Sequence, residues 1–191
     1  AALTKDIVWM EYETITLDDG STETVLAPKV YLASVSQGIN QRGSALIIGD
    51  KLQLVVDNTV SNNGSLSGNN QLTLHASDIN NVRGDISSQG DVAISAQKNI
   101  NNSLGKIKGN NVNLAAEQSI TAGSLEANND LSIKAGDTFK VTGVALSSKN
   151  DLTIQAQTVS VTALARKSKQ GKERRVTHQQ SMLTAGGSLS V

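Results

Sequence analysis

The strongest constraint on this chain is that it repeats itself. From Ser44 onward one short phrase recurs about every 20 residues, clearest as Gly64-Ser65-Leu66-Ser67-Gly68-Asn69-Asn70-Gln71-Leu72-Thr73-Leu74-His75-Ala76-Ser77-Asp78-Ile79-Asn80-Asn81. Further copies start at Gly84, Gly105, Gly123 and Gly143, with a degenerate one at Ser44. A unit this short cannot bury a core alone, so it must stack on its neighbours.

Each copy has three apolar beats. The first is a single residue: Leu46, Leu66, Ile86, Ile107, Leu125 and Leu146. The second is a pair two residues apart: Leu52/Leu54, Leu72/Leu74, Val92/Ile94, Val112/Leu114, Leu131/Ile133 and Leu152/Ile154. The third is short again: Val60, Ile79, Ile100, Ile120, Phe139/Val141 and Val159/Val161. Two-residue spacing is strand spacing with one buried face. Gly, Asn, Asp and Ser between the beats favour turns, and no copy has room for a helix of ten or more residues. The spacing predicts an all-β, right-handed parallel β-helix with three short strands per coil, right-handed by the crossover rule. Six coils at about 4.8 Å each give a rod of roughly 29 Å. Leu72, Val92, Val112, Leu131 and Leu152 should form one inward column.

Asn pairs recur in two series, Asn69-Asn70, Asn110-Asn111 and Asn128-Asn129, and Asn62-Asn63, Asn80-Asn81 and Asn101-Asn102. Each series is expected to hold one place in the repeat and to form side-chain ladders. The functional alternative is a row of exposed amides that binds sugar.

Two segments leave the pattern. Residues 1–40 read as an N-terminal β-hairpin: Ile7 to Leu17 as one strand, an Asp18-Asp19-Gly20-Ser21 turn, and Thr24 to Leu32 as the return. Three of the four aromatics, Trp9, Tyr12 and Tyr31, lie here. They either pack the hairpin or form a partner-binding face. Residues 164–180 hold six of the 17 basic residues, Arg166, Lys167, Lys169, Lys172, Arg174 and Arg175, beside one acid, Glu173. The repeat resumes at Met182, so this stretch reads as a basic loop extruded from a turn. It is either a solvated, mobile loop or a docking site for phosphate, lipopolysaccharide or an acidic partner. The expected organisation is therefore residues 1–40 as hairpin, 41–163 as repeats, 164–180 as insertion and 181–191 as the start of another coil. Both ends read as lying inside a longer protein.

Composition excludes several kinds of chemistry. The chain has no cysteine, which removes thiol catalysis, disulfides and Cys-based zinc sites. Its formal net charge is zero, so no global field attracts nucleic acid. The repeats lack aromatic platforms for bases or sugar rings, and no stretch is long and apolar enough to span a membrane. Enzymatic β-helices need clustered carboxylates or calcium on one face, whereas the acids here are scattered among the turns. Asp91, Asp130 and Asp151 share one repeat position, with Asn111 between the first two. His75 should point outward. No catalytic, cofactor-binding or metal-ligating set emerges.

The Gly-Ser-Leu-Ser-Gly-Asn-Asn-Gln-Leu-Thr-Leu phrase resembles the haemagglutinin repeats of filamentous-haemagglutinin-type exoproteins of two-partner secretion. Asp6-Ile7-Val8-Trp9, Leu17-Asp18-Asp19-Gly20-Ser21 and Val25-Leu26-Ala27-Pro28-Lys29-Val30-Tyr31 narrow this. They are similar to the segment before the second repeat region of CdiA-type contact-dependent growth inhibition effectors. Leu183-Thr184-Ala185-Gly186-Gly187-Ser188-Leu189 after an insertion is similar to the start of that region. The basic composition of the insertion departs from the Ser/Thr-rich stretch expected there. The resemblance implies a non-catalytic stalk segment, secreted or held at the bacterial outer-membrane surface. It implies an outer-membrane secretion partner of the TpsB/CdiB type and a target-cell surface, with the toxin outside these residues. The alternative reading is an adhesin-type binding module that uses the basic loop or the aromatic hairpin to bind glycan or an anionic surface. A carbohydrate-active enzyme is the third class.

Overall fold

The computed structural model describes residues 7–16, 22–31, 45–170 and 173–191. They fall into two compact units, Ala1–Gly43 and Ser44–Val191. In the first, Ile7–Thr16 pairs antiparallel with Thr22–Tyr31, from Ile7↔Tyr31 to Thr16↔Thr22. Pro28 opposes Met10 in this ribbon. In a two-stranded ribbon each strand has an open edge, which is where a proline without an N–H is tolerated.

The second unit is a β-solenoid with no helix among its described residues. Each coil contributes one strand to each of three faces, all paired in parallel with the coils above and below. The first face runs through Asp85–Ser88, Lys106–Gly109, Ser124–Ala127, Ala145–Ser148 and Met182–Ala185. The second runs through Asp91–Ala96, Val112–Ala116, Leu131–Ala135, Leu152–Gln155 and Leu189–Ser190. The third is a separate sheet: Thr59–Ser61, Asp78–Asn80, Ile100–Asn101, Ile120–Ala122, Thr138–Thr142 and Thr158–Thr162. In the two earliest coils the first two faces share one bent strand, Leu46–Val55 and Ser65–Ala76. There are six complete coils and the beginning of a seventh.

Along the second face the stacking register is continuous. Leu72, Val92, Val112, Leu131 and Leu152 align one above another, and all are buried. The interior is set by alternation within each strand. The first face places a large aliphatic residue inward and then a small one, as in Ile86/Ser88 and Leu125/Ala127. The second places two large residues and then Ala76, Ala96, Ala116 or Ala135. Small residues at the end of a run let the chain turn the corner without crowding the core.

The third face differs from the apolar pattern. Its first inward place is Ile79, Ile100, Ile120 and Phe139, all buried. Its second is Asn62, Asn81 and Asn102 in the first three coils and Ala122, Val141 and Val161 in the next three. Asn81 and Asn102 are fully buried. The Asn62 amide donates to Asn81 Oδ1 at 2.7 Å, and the Asn81 amide donates to Asn102 Oδ1 at 2.6 Å. The ladder is thus inside the coil, where each amide must find a partner or cost free energy. Gly105 closes against it, because a Cβ there would meet the Asn102 side chain and the Asn81 backbone.

Two expected registers are corrected. Ile47, not Leu46, aligns with Leu66. The register shifts between Gly49 and Lys51, so the first coil turns its corner with one residue fewer. Asn62, not the Asn62-Asn63 pair, shares a column with Asn81 and Asn102, so the Asn pairs of that series do not hold one common place. The segment read as an extruded loop departs from the coil, but as an antiparallel β-hairpin, Leu164–Gln170 with Glu173–Gln179.

Candidate functional site

The basic hairpin leaves the solenoid at the corner between the third and first faces. Its base is fixed to the coil beneath. Ser181 Oγ donates to the Thr162 carbonyl and accepts from the Gly143 N–H, both at 2.7 Å. Gly143 has φ +63, and an added Cβ would run into Leu164. Thr142 and Thr162 hydroxyls meet at 2.9 Å just before this point. No motif in the sequence marks Ser181 as a brace, and Gly143 reads there only as the first residue of a repeat copy.

Along the ribbon, Lys167 opposes Val176, Ser168 opposes Arg175, Lys169 opposes Arg174 and Gln170 opposes Glu173. Arg166 and Lys167 are exposed, and Arg166 donates to Gln179 Oε1 at 3.2 Å. Lys172 lies outside the described residues. The hairpin therefore brings five of the six predicted basic positions onto one ribbon.

The three aromatic positions divide between the two sides of the first ribbon. In the first unit Trp9 pairs with Lys29, Tyr12 with Leu26 and Tyr31 with Ile7. By strand alternation Trp9 and Tyr31 share one side and Tyr12 takes the other. Tyr12 is 78% exposed.

The carboxylates in the corner between the first and second faces have a different role. The Asn111 backbone N–H donates to Asp91 Oδ1 at 3.2 Å, that of Asp130 to Asn111 Oδ1 at 3.3 Å, and that of Asp151 to Asp130 Oδ1 at 3.1 Å. Ser188 N–H then donates to Asp151 Oδ1 at 2.8 Å. Each Asp or Asn caps the turn of the coil that follows, so its oxygens are used in stacking. Among the described residues no group of three or more acidic or histidine side chains is placed to hold a metal ion. His75 is half-buried on the outer side of the second face, with Nδ1 2.8 Å from Ser95 Oγ.

One charge cluster lies on the first face. Lys108 Nζ contacts Glu126 Oε1 at 2.6 Å, and Lys106 Nζ is 3.8 Å from Oε2. The Lys108 hydrogen bond holds the Glu126 carboxyl below the usual range. Asp85, beneath Lys106, is raised by partial burial, against the attraction of Lys106. The pairing between Glu126 and the two lysines is electrostatic.

The fold defines a structural class: a stacked β-solenoid whose polar corner side chains are spent on joining coils. Comparison with known sequences places it further. The haemagglutinin repeat family model matches residues 20–64, 48–107 and 107–191. The chain belongs to the haemagglutinin-repeat family. It is similar to the protein named 16S rRNA endonuclease CdiA of Enterobacter cloacae, 28% identical over 174 residues, which is 77% of this chain and 5% of the relative. It is similar to the tRNA nuclease CdiA of Yersinia mollaretii, 27% identical over 238 residues, which is 100% of this chain and 8% of the relative. A tRNA nuclease CdiA of Escherichia coli matches at 27% identity over 84% of this chain and 6% of its own length. The chain thus spans less than a tenth of these curated relatives. No solved structure matches it. These matches support a haemagglutinin-repeat region similar to those of CdiA proteins.

Proposed function

We propose that this chain is a non-catalytic stalk segment of a large secreted or surface-held exoprotein, CdiA-like, that presents receptor-binding and toxin regions lying elsewhere in its parent. The observation that carries this is the vertical register of the inward columns of the second face, together with the corner Asp and Asn side chains that bond one coil to the next. Those groups are occupied in joining coils rather than turned toward a substrate. Export through an outer-membrane partner of the CdiB type and engagement of a target cell belong to this proposal for the parent protein. The likeness to CdiA relatives supports both.

A stalk works through length and continuity, so removing one whole coil should be tolerated. Deleting residues 105–122 joins Leu104 to Gly123 and keeps the stacking register, because Lys106 and Ser124 occupy equivalent places. In the full-length parent this deletion should leave surface display and inhibition of target cells in co-culture within about twofold. Val112→Asp, which breaks the stack, should abolish display. Loss of inhibition by the coil deletion with display intact would contradict the stalk reading.

A further inference from the structure

We propose that the basic hairpin is a docking surface for an anionic polysaccharide, one carrying carboxylate or phosphate groups along its length. The cations sort onto one side of the ribbon. Its register places Ala165, Lys167, Lys169, Arg174, Val176 and His178 on one side, and Arg166, Ser168, Arg175 and Glu173 on the other. The first side has three permanent cations and no acid. The second has two cations and the only acid.

The sorting runs against the stability of the ribbon. Lys169 and Arg174 are directly opposite, and like charges directly opposite in an antiparallel pair destabilise it. A two-stranded hairpin is marginal in water without an apolar face, and Val176, the largest apolar residue on the cationic side, is exposed. The ribbon relies on its base instead, on the Ser181 brace and on Leu164 seated over Gly143. A polyanion would relieve this repulsion, and the anchored ribbon lowers the entropic cost of gathering the charges.

The chemistry of the face narrows the partner. It has no aromatic residue on which bases could stack. It has no aromatic or large apolar anchor of the kind that centres a protein interface or inserts into a membrane. Cations two residues apart on a strand are about 6.8 Å apart, and a facing pair is closer still. That spacing suits successive charged groups on an extended sugar chain. The inference is independent of the stalk reading, because the chain itself is the test object.

The test uses the full chain with polygalacturonate as probe, neutral dextran, anionic phosphatidylglycerol vesicles and single-stranded oligothymidylate for comparison. Polygalacturonate should bind at low salt, weaken at least tenfold between 50 and 200 mM salt as exposed charges are screened (about 10 Å at 0.1 M), and be preferred over the others. Lys167→Gln with Lys169→Gln and Arg174→Gln should weaken binding at least tenfold at a melting temperature no lower than the parent's. Arg166→Gln with Arg175→Gln, on the other side, should weaken it by no more than about threefold. Absent binding, equal losses for the two variants, or equal or tighter binding of vesicles or oligothymidylate would overturn the proposal. A lowered melting temperature in the triple variant would also contradict it, since it would show those side chains to be structural.

Discussion

At Val112 and Asn113 the whole register can be tested with two adjacent residues. Val112 is fully buried and Asn113 is exposed. Val112→Asp puts an unpartnered carboxylate in the inward column and should cost about 3–5 kcal/mol. Asn113→Asp should change stability by no more than about 0.5 kcal/mol. Chemical denaturation of the two variants reads both. Asn102→Ala should cost about 1–3 kcal/mol, because the buried Asn81 amide loses the shortest of its hydrogen bonds, keeping only those to the Gly84 and Lys106 carbonyls. Asp85 and Glu126 give opposite responses to pH. Burial raises the Asp85 carboxyl, so its contribution to stability is present below about pH 4 and lost as pH rises through the raised value. Asp85→Asn should therefore melt above the parent at pH 7, with no gain at pH 3. Lys108 lowers Glu126, so its contribution is present at neutral pH and lost as pH falls through the lowered value. Glu126→Gln should melt below the parent at pH 7 and converge with it in acid. The inward columns of the second face were legible because both residues of each pair are apolar. The Asn ladder was legible as a ladder, but its burial inside the coil was not, because Asn81 and Asn102 look like turn residues. The Phe139/Val141 pair held the clue: it shows that the third face has two inward places, one of them filled by Asn in earlier coils.

The hairpin shows what local pattern conceals at the scale of an element. Residues 164–180 lack alternating apolar residues, so they read as a loop. Their strands form because the solenoid fixes both ends at the Thr162–Ser181 corner, which is a tertiary cause invisible to periodicity. Gly143→Ala should test that cause. It forces a side chain into positive φ and against Leu164, which should cost about 1–3 kcal/mol and speed tryptic cleavage of the ribbon. Gly49→Ala is the control, since its added Cβ meets nothing closer than the Lys51 carbonyl at 3.6 Å. Cleavage at Arg174 or Arg175 should leave the preceding coils folded, because each coil contacts only its neighbours. Unchanged protease sensitivity in Gly143→Ala would show that the base does not hold the ribbon.

For the molecule as a whole, repeat length, strand spacing and turn composition were enough to read the solenoid. The register slips came from corners of unequal length, such as the one-residue difference after Gly49, which a fixed period cannot show. The basic segment was visible as a charge run, but its sorting by side needed the strand register. Along the second face, Gln53, Thr73, Ala93, Asn113, Ser132, Thr153 and Ser190 occupy one outward column. The chain has no cysteine, so pairs of introduced cysteines can carry spin labels without interference. Electron–electron distances from Gln53 should then rise with coil number, at about 4.8 Å per coil. Backbone separations of about 14 Å to Asn113, 24 Å to Thr153 and 29 Å to Ser190 are predicted on that spacing. A Gln53–Thr153 distance no longer than Gln53–Asn113 would contradict the stacked solenoid on which the stalk function rests.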